Sequence, residues 1–320
     1  MEYKPFTPSL LLKNPYVQSI LASKRIGGSL PDYIRSASQK IIINCKNGTK
    51  LSGIYTSHEK EKNNACVVIL HGWEGSIDSR YAKGTLKFLF SNGYDIFRLN
   101  LRDHGDSHHL NKGLFFITKF DEIFQAVEQV SKLFKKKAIY IVGFSLGGNF
   151  ALRIAIRHKK MPINGLKHVI AISPPINPEL STELIDNILL FKYYFLKKWK
   201  RSLQKKQQLF PQLYDFKNIF NMSSILEVTE ELVDKYSEFK NAKEYFSGYT
   251  LLGNIFNEIC IPTTVITAAD DPIIPVNDFY NLKTNNKFNL IVHKHGGHLG
   301  FIENIFKSPW FDSCILQNLY

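Results

Sequence analysis

Short apolar runs recur along this chain, and several are continuous rather than alternating. Residues 65–70, 94–99, 138–142, 167–172, 263–268 and 288–293 read as strands. A run without polar alternation suits a strand buried on both faces, as in a parallel sheet. Between them lie segments with helical period. Over 119–134, Phe120, Ile123, Phe124, Val127, Val130 and Leu133 share one face. Residues 81–91 repeat the pattern and end at Asn92-Gly93, and 149–156 form a third. This alternation predicts an α/β fold with a mostly parallel sheet flanked by helices.

Ahead of it, 40–45 and 51–56 flank Asn47-Gly48 and read as a hairpin. Residues 1–38, with Pro5, Pro8, Pro15 and Pro31, read as an irregular lead-in packed on the core. From about 176 to 258 the texture changes to helical, aromatic and basic, as over 185–203, with no buried strand. A stretch this long is not a plain loop. The expected division is a lead-in at 1–38, a core of 39–175 and 259–320, and a helical lid at 176–258. Residues 300–306 are expected to open the last helix.

Composition changes this picture little. The 320 residues are 44% hydrophobic, enough for a large core. The formal charge of +13 raises nucleic acid or an anionic membrane as partners. The lysines are scattered and no nucleic-acid module is present, so no nucleic-acid partner is expected. The basic residues Lys192, Lys197, Lys198, Lys200 and Arg201 leave open peripheral contact of the lid with anionic lipid. Its apolar residues Ile185, Leu189, Leu190, Phe191, Tyr194, Phe195 and Leu196 either line an acyl pocket or pack on the core mouth. Cys45, Cys66, Cys260 and Cys314 show no metal or disulfide spacing, which suggests a reduced, cytoplasmic setting. The apolar patch Leu10-Leu11-Leu12 is too short for a signal segment, and no run approaches a membrane span.

The chemistry centres on Gly143-Phe144-Ser145-Leu146-Gly147, set between a strand and a helix. This is the G-x-S-x-G pattern of a nucleophile elbow, in which glycines make room for a strained turn that exposes the serine. A serine hydroxyl needs a base, and the base needs an acid to fix its tautomer. His298, on a glycine-rich loop after the last strand, is the candidate base, and Asp270 or Asp271, after strand 263–268, the acid. His104, His108 and His109 read as loop structure. A metal site at His293, His295 and His298 has no acidic or cysteine partner nearby. The Leu146 amide is one oxyanion donor by virtue of the elbow, and the second belongs to the loop His71-Gly72-Trp73-Glu74-Gly75.

These strand, elbow, acid and histidine loops resemble the α/β-hydrolase superfamily. Asn14-Pro15-Tyr16-Val17-Gln18, His71-Gly72-Trp73-Glu74-Gly75-Ser76, Asp270-Asp271-Pro272 and Gly296-Gly297-His298-Leu299-Gly300-Phe301 resemble its YheT/ABHD-type carboxylesterase branch. The resemblance implies an α/β-hydrolase fold. It also implies that Asp271, four residues before Pro275, is the acid and that Trp73 gives the second oxyanion amide. The implied activity is hydrolysis of a small-molecule carboxylic ester, acyl-lipid or medium-chain, through an acyl-enzyme and without cofactor or metal. Acyl transfer to an alcohol, or ligand binding without catalysis, are the alternatives.

Overall fold

The computed structural model describes residues 3–24, 29–59, 63–135 and 137–319. Positions 1, 2 and 25–28 of the expected lead-in lie outside them. The hairpin strands β1 (Ser38–Asn44) and β2 (Lys50–Thr56) turn at Gly48, whose φ of 79° suits glycine. Then follow β3 (Ala65–Leu70), β4 (Asp95–Leu99), β5 (Ala138–Phe144), β6 (Leu166–Ile172), β7 (Thr263–Ala268) and β8 (Phe288–His293). They form one sheet in the order β1-β2-β4-β3-β5-β6-β7-β8, parallel from β4 to β8.

The continuous runs are continuous because both faces are covered. On β3, Cys66, Val68 and Leu70 join one core, while Val67 and Ile69 join the other. The helices are α1 (Pro15–Lys24), α2 (Asp32–Ser36), α3 (Arg80–Ser91), α4 (Phe120–Leu133) and α5 (Leu146–His158). Helix α4 packs its Phe120, Ile123 and Val127 face on the first core. Helix α3 packs Ala82, Leu86 and Leu89 on the second.

The segment between β6 and β7 holds five α-helices: α6 (Pro178–Asn187), α7 (Leu189–Leu209), α8 (Lys217–Asn221), α9 (Ile225–Tyr236) and α10 (Ala242–Ser247). Side chains delimit several of them. Ser224 accepts from the Glu227 amide while Glu227 Oε2 accepts from the Ser223 amide, a near relative of the capping box. Asn241 caps α10 through the Glu244 amide. The helical run expected over 185–203 is broken at Ile188, whose φ and ψ of −108° and 102° are extended. The core closes with α11 (Val276–Tyr280) and α12 (Trp310–Gln317).

Two further expectations are corrected. The lead-in is not irregular: it contains a 3-10 turn at Leu10–Lys13 and helices α1 and α2. Pro15 opens α1, where a missing N–H costs nothing, and Asn14 Oδ1 accepts from the Tyr16 and Val17 amides. Residues 300–306 form no helix, because Leu299 and Phe301 take φ of 64° and 47°; the last helix begins at Trp310.

Helix α7 is fixed to the core by a buried lysine. Lys206 Nζ donates to Asp103 Oδ1 at 2.8 Å and to the Asn111 carbonyl at 2.7 Å, and lies over the Phe210 ring. Beside it, Arg102 donates to Glu122 of α4 and to Thr49 Oγ1. Removing one partner of such a pair leaves a buried charge uncompensated, at about 3 kcal/mol or more. Lys206→Ala is therefore expected to lower unfolding stability by about 3 kcal/mol in denaturant titration. A loss under about 1 kcal/mol would mean that water replaces the ammonium.

Candidate active site

The elbow is a tightly constrained turn. Ser145 sits at φ 51° and ψ −119°, a region that side chains avoid. Its N–H donates to the Ile172 carbonyl of β6 at 2.8 Å, and its carbonyl accepts from the Gly148 and Asn149 amides. A Cβ on Gly143 would collide with the Gly147 carbonyl, and one on Gly147 with the Leu70 carbonyl. Glycine at both places lets β5, α5 and β3 close around the turn.

Ser145 lies in hydrogen-bond reach of His298. The hydroxyl donates to His298 Nε2 at 2.9 Å, and His298 Nδ1–H donates to Asp271 Oδ2 at 2.9 Å. The tautomer follows from the carboxylate, which only accepts. Asp271 is buried, and its Oδ1 accepts from the Ile273 and Ile274 amides, which lock its orientation. Asp270 faces elsewhere: Oδ1 accepts from the Gly297 amide at 2.9 Å, and Oδ2 pairs with His295 Nδ1 at 3.3 Å. Asp271 and not Asp270 is thus the acid in contact with His298. His293 packs against Phe6, Phe301 and Trp310, away from this set. Burial pushes its imidazole down to about 4. Among the described residues no cluster of His, Cys, Asp and Glu is placed to hold a metal.

The loop 71–75 lies against the serine: a Cβ on Gly72 would sit 3.1 Å from Ser145 Cβ. Among the described residues, no protein acceptor takes the Trp73 or Leu146 N–H. Four side chains hold this loop, one of them Lys198 of α7, whose Nζ donates to the Glu74 carbonyl at 2.8 Å. Gly72 N–H donates to the Tyr81 hydroxyl at 2.7 Å. His71 donates from Nδ1 to the Gly72 carbonyl and accepts the Leu101 amide at Nε2. His104 donates from Nδ1 to the Arg102 carbonyl and accepts the Glu74 amide at Nε2. Burial pushes the imidazoles of His71 and His104 down to about 3 and about 4, so both are neutral acceptors near neutral pH. Burial pushes the Glu74 carboxyl up to about 8, offset in part by Lys198.

Two cavities meet at Ser145. The larger, of about 880 Å³, is also lined by His298, Glu74, Tyr81, Tyr194 and Lys198. The smaller, of about 100 Å³, is apolar and is also lined by Leu146, Phe115, Ile185, Trp199 and Phe246. Trp73, Phe195 and Ile273 line both. Of the apolar residues singled out in α6 and α7, Leu190, Phe191 and Tyr194 face the larger cavity. Leu196 is buried in the core and Leu189 is exposed.

The model of the α/β hydrolase fold matches residues 66–305, three quarters of the chain. The chain belongs to this family. It is 26% identical over 98% of its length to an abhydrolase domain-containing protein of Dictyostelium discoideum, 80% of which is covered. It is 22% identical over 78% of its length to the phospholipase ABHD3 of Bos taurus, 62% of which is covered. It therefore spans less than two thirds of that relative. Of solved structures, the Pyrococcus furiosus esterase Pf2001 superposes with a TM-score of 0.59 at 19% identity, covering 100% of this chain and 98% of that one. A further relative is the putative esterase YheT of Escherichia coli, 24% identical over 78% of this chain and 74% of that one, and the chain is an enzyme of the serine hydrolase class.

Sequence reasoning missed the supports. Ser19 of α1 accepts the His298 amide at 2.8 Å, and Gln18 pairs with the Ile302 amide and carbonyl. The only signal was Asn14-Pro15-Tyr16-Val17-Gln18, whose resemblance carried no stated role. His104 read as loop structure, and nothing in the sequence tied it to the Glu74 amide. Its neutrality gives a test. The unfolded imidazole takes a proton near pH 6.5 and the folded one near 4, so stability from His104 is present above 6.5 and lost as pH falls toward 4. The stability advantage of wild type over His104→Gln should shrink across that window in pH-resolved thermal unfolding. A difference that stays constant with pH would show that His104 titrates normally.

Proposed function

We propose that this enzyme hydrolyses carboxylic esters through Ser145, His298 and Asp271. The observation that carries this is the unbroken hydrogen-bond chain from the Ser145 hydroxyl through His298 to a buried Asp271. Ser145 attacks the ester carbonyl while His298 takes its proton. Asp271 holds the ring and stabilises the imidazolium. The Trp73 and Leu146 amides, without protein acceptors, receive the oxyanion. His298 returns the proton to the departing alcohol, and water releases the acid from the acyl-enzyme.

The cavities support a direction for the substrate. The group that protonates the leaving oxygen is His298, which lines only the large cavity. The alcohol therefore occupies the large cavity and the acyl chain the small apolar one beside Leu146. A cavity of about 150 Å³ holds one benzene, so this one takes about four carbons. The name of the phospholipase relative agrees with an acyl ester of a bulky alcohol.

A fluorophosphonate probe should label the wild type and not Ser145→Ala, whose hydrolysis of p-nitrophenyl butyrate should fall about 10⁴-fold or more. Equal labelling of the variant would end the reading. Among p-nitrophenyl esters, kcat/KM should peak near butyrate and drop about tenfold or more by octanoate, since each surplus methylene has no apolar site. Phe246→Ala, which deepens the small cavity, should move the peak to longer chains. A profile unchanged by Phe246→Ala would put the acyl chain in the large cavity.

A further inference from the structure

The mouth of the large cavity carries a second feature that ester chemistry does not use. Two segments far apart in sequence form its wall, α1 through Ile20 and Ser23, and α7 through Leu190, Phe191 and Tyr194. They meet where the Tyr16 ring stacks on Phe191 at 6.1 Å. Around this junction apolar side chains face outward. Leu10 and Leu11 are 82% and 84% exposed, and Leu189 and Tyr193 are 62% and 64% exposed. Scattered exposed leucines need no explanation, but these sit on two segments joined at one opening.

The charge on these two segments has one sign, while the other wall of the cavity carries Asp78 and Asp106. Residues 3–24 and 189–209 contain no Asp or Glu. Lys13 and Lys197 are exposed and Lys192 half-exposed among the apolar residues. Leucines with tyrosines and lysines, and no acid, are what an anionic lipid surface attracts: leucine enters the acyl boundary, tyrosine sits at the headgroups, lysine meets the phosphates. Among the described residues no helix is long and apolar enough to cross a membrane, so contact of this kind lies on the surface. A second copy of this chain would bring the same positive rim against itself, which disfavours that occupant.

We propose that the rim formed by Leu10, Leu11, Leu189, Tyr193 and their neighbouring lysines docks the enzyme on anionic lipid, with the large cavity opening toward the bilayer. The alcohol part of the substrate then enters from the membrane side. That last step rests on the ester-hydrolysis reading, but docking does not.

The test is co-sedimentation of the full chain with vesicles of phosphatidylcholine alone or mixed with phosphatidylglycerol. Wild type and Ser145→Ala should both bind the anionic vesicles, less tightly as salt rises, and bind phosphatidylcholine weakly. Lys192→Gln/Lys197→Gln should weaken binding more than tenfold, about fivefold per lysine. Leu10→Ser/Leu11→Ser and Leu189→Ser/Tyr193→Ser should weaken it at least tenfold and leave hydrolysis of dissolved p-nitrophenyl butyrate unchanged. That activity also shows that each variant is folded. No binding to anionic vesicles, or binding unmoved by these substitutions, overturns the proposal. So does a wild type that is dimeric and turns monomeric in the leucine variants without touching vesicles. Ser145→Ala separates the two readings, since it removes turnover and leaves docking intact.

Discussion

The site depends on one backbone conformation, the positive φ of Ser145. A serine there is costly, of order 1–3 kcal/mol, and persists only where its surroundings leave no other arrangement. Here the Ile172 carbonyl holds its amide, and two amides of α5 hold its carbonyl. Gly143 and Gly147 remove the side chains that would keep β5, β3 and α5 apart. The result is a hydroxyl that stands clear of the carboxyl end of the sheet, where a histidine from a distant loop reaches it.

The same strain recurs around the serine. Among the described residues, the non-glycine positions with positive φ are Glu74, Asp103, Ser145, Ser173, Leu299 and Phe301. They follow β3, β4, β5, β6 and β8, all at the carboxyl ends of strands. Regular strands end there and loops must turn sharply toward a common point. Strain therefore gathers where the chemistry is, and the buried, relaxed strands behind it offset its cost.

This geography decides what a reader of the sequence sees. Strand runs such as 65–70 were legible because burial on both faces leaves no polar residue to confuse the period. Ser145, the Asp270-Asp271 pair and His298 were legible because reactive residue types fall just after such runs. The choice between two adjacent aspartates was not legible from the residues alone and came only with the family resemblance, since it turns on which carboxylate the Ile273 and Ile274 amides lock. The lead-in was misread because its prolines suggested irregular structure, while Pro15 is the opening residue of α1. The loop at 300–306 was misread because a positive φ at Leu299 and Phe301 leaves no mark in residue type. Contacts such as Ser19 to the His298 amide, 279 positions apart, have no local pattern at all.

The loop after β4 shows why such contacts matter. Three consecutive residues reach three different bodies: Arg102 to Glu122 of α4, Asp103 to Lys206 of α7, and His104 to the Glu74 amide beside the serine. All three are buried. Buried ion pairs contribute little net stability against well-packed apolar replacements of the same size. Their use here is positional. An apolar loop would hold the same volume, but no carboxylate would draw α7 to one place and no ring nitrogen would hold the Glu74 amide. The helix that walls the cavity and the loop that carries Trp73 are thus fixed by neighbouring residues of one turn. A shift of α7 that strains Asp103 acts on His104 next to it. Helix α7 also meets the Trp73 loop directly, since Lys198 donates to the Glu74 carbonyl and Phe195 stacks on Trp73, so access to the serine and the aim of the amides proposed to receive the oxyanion are coupled through both contacts.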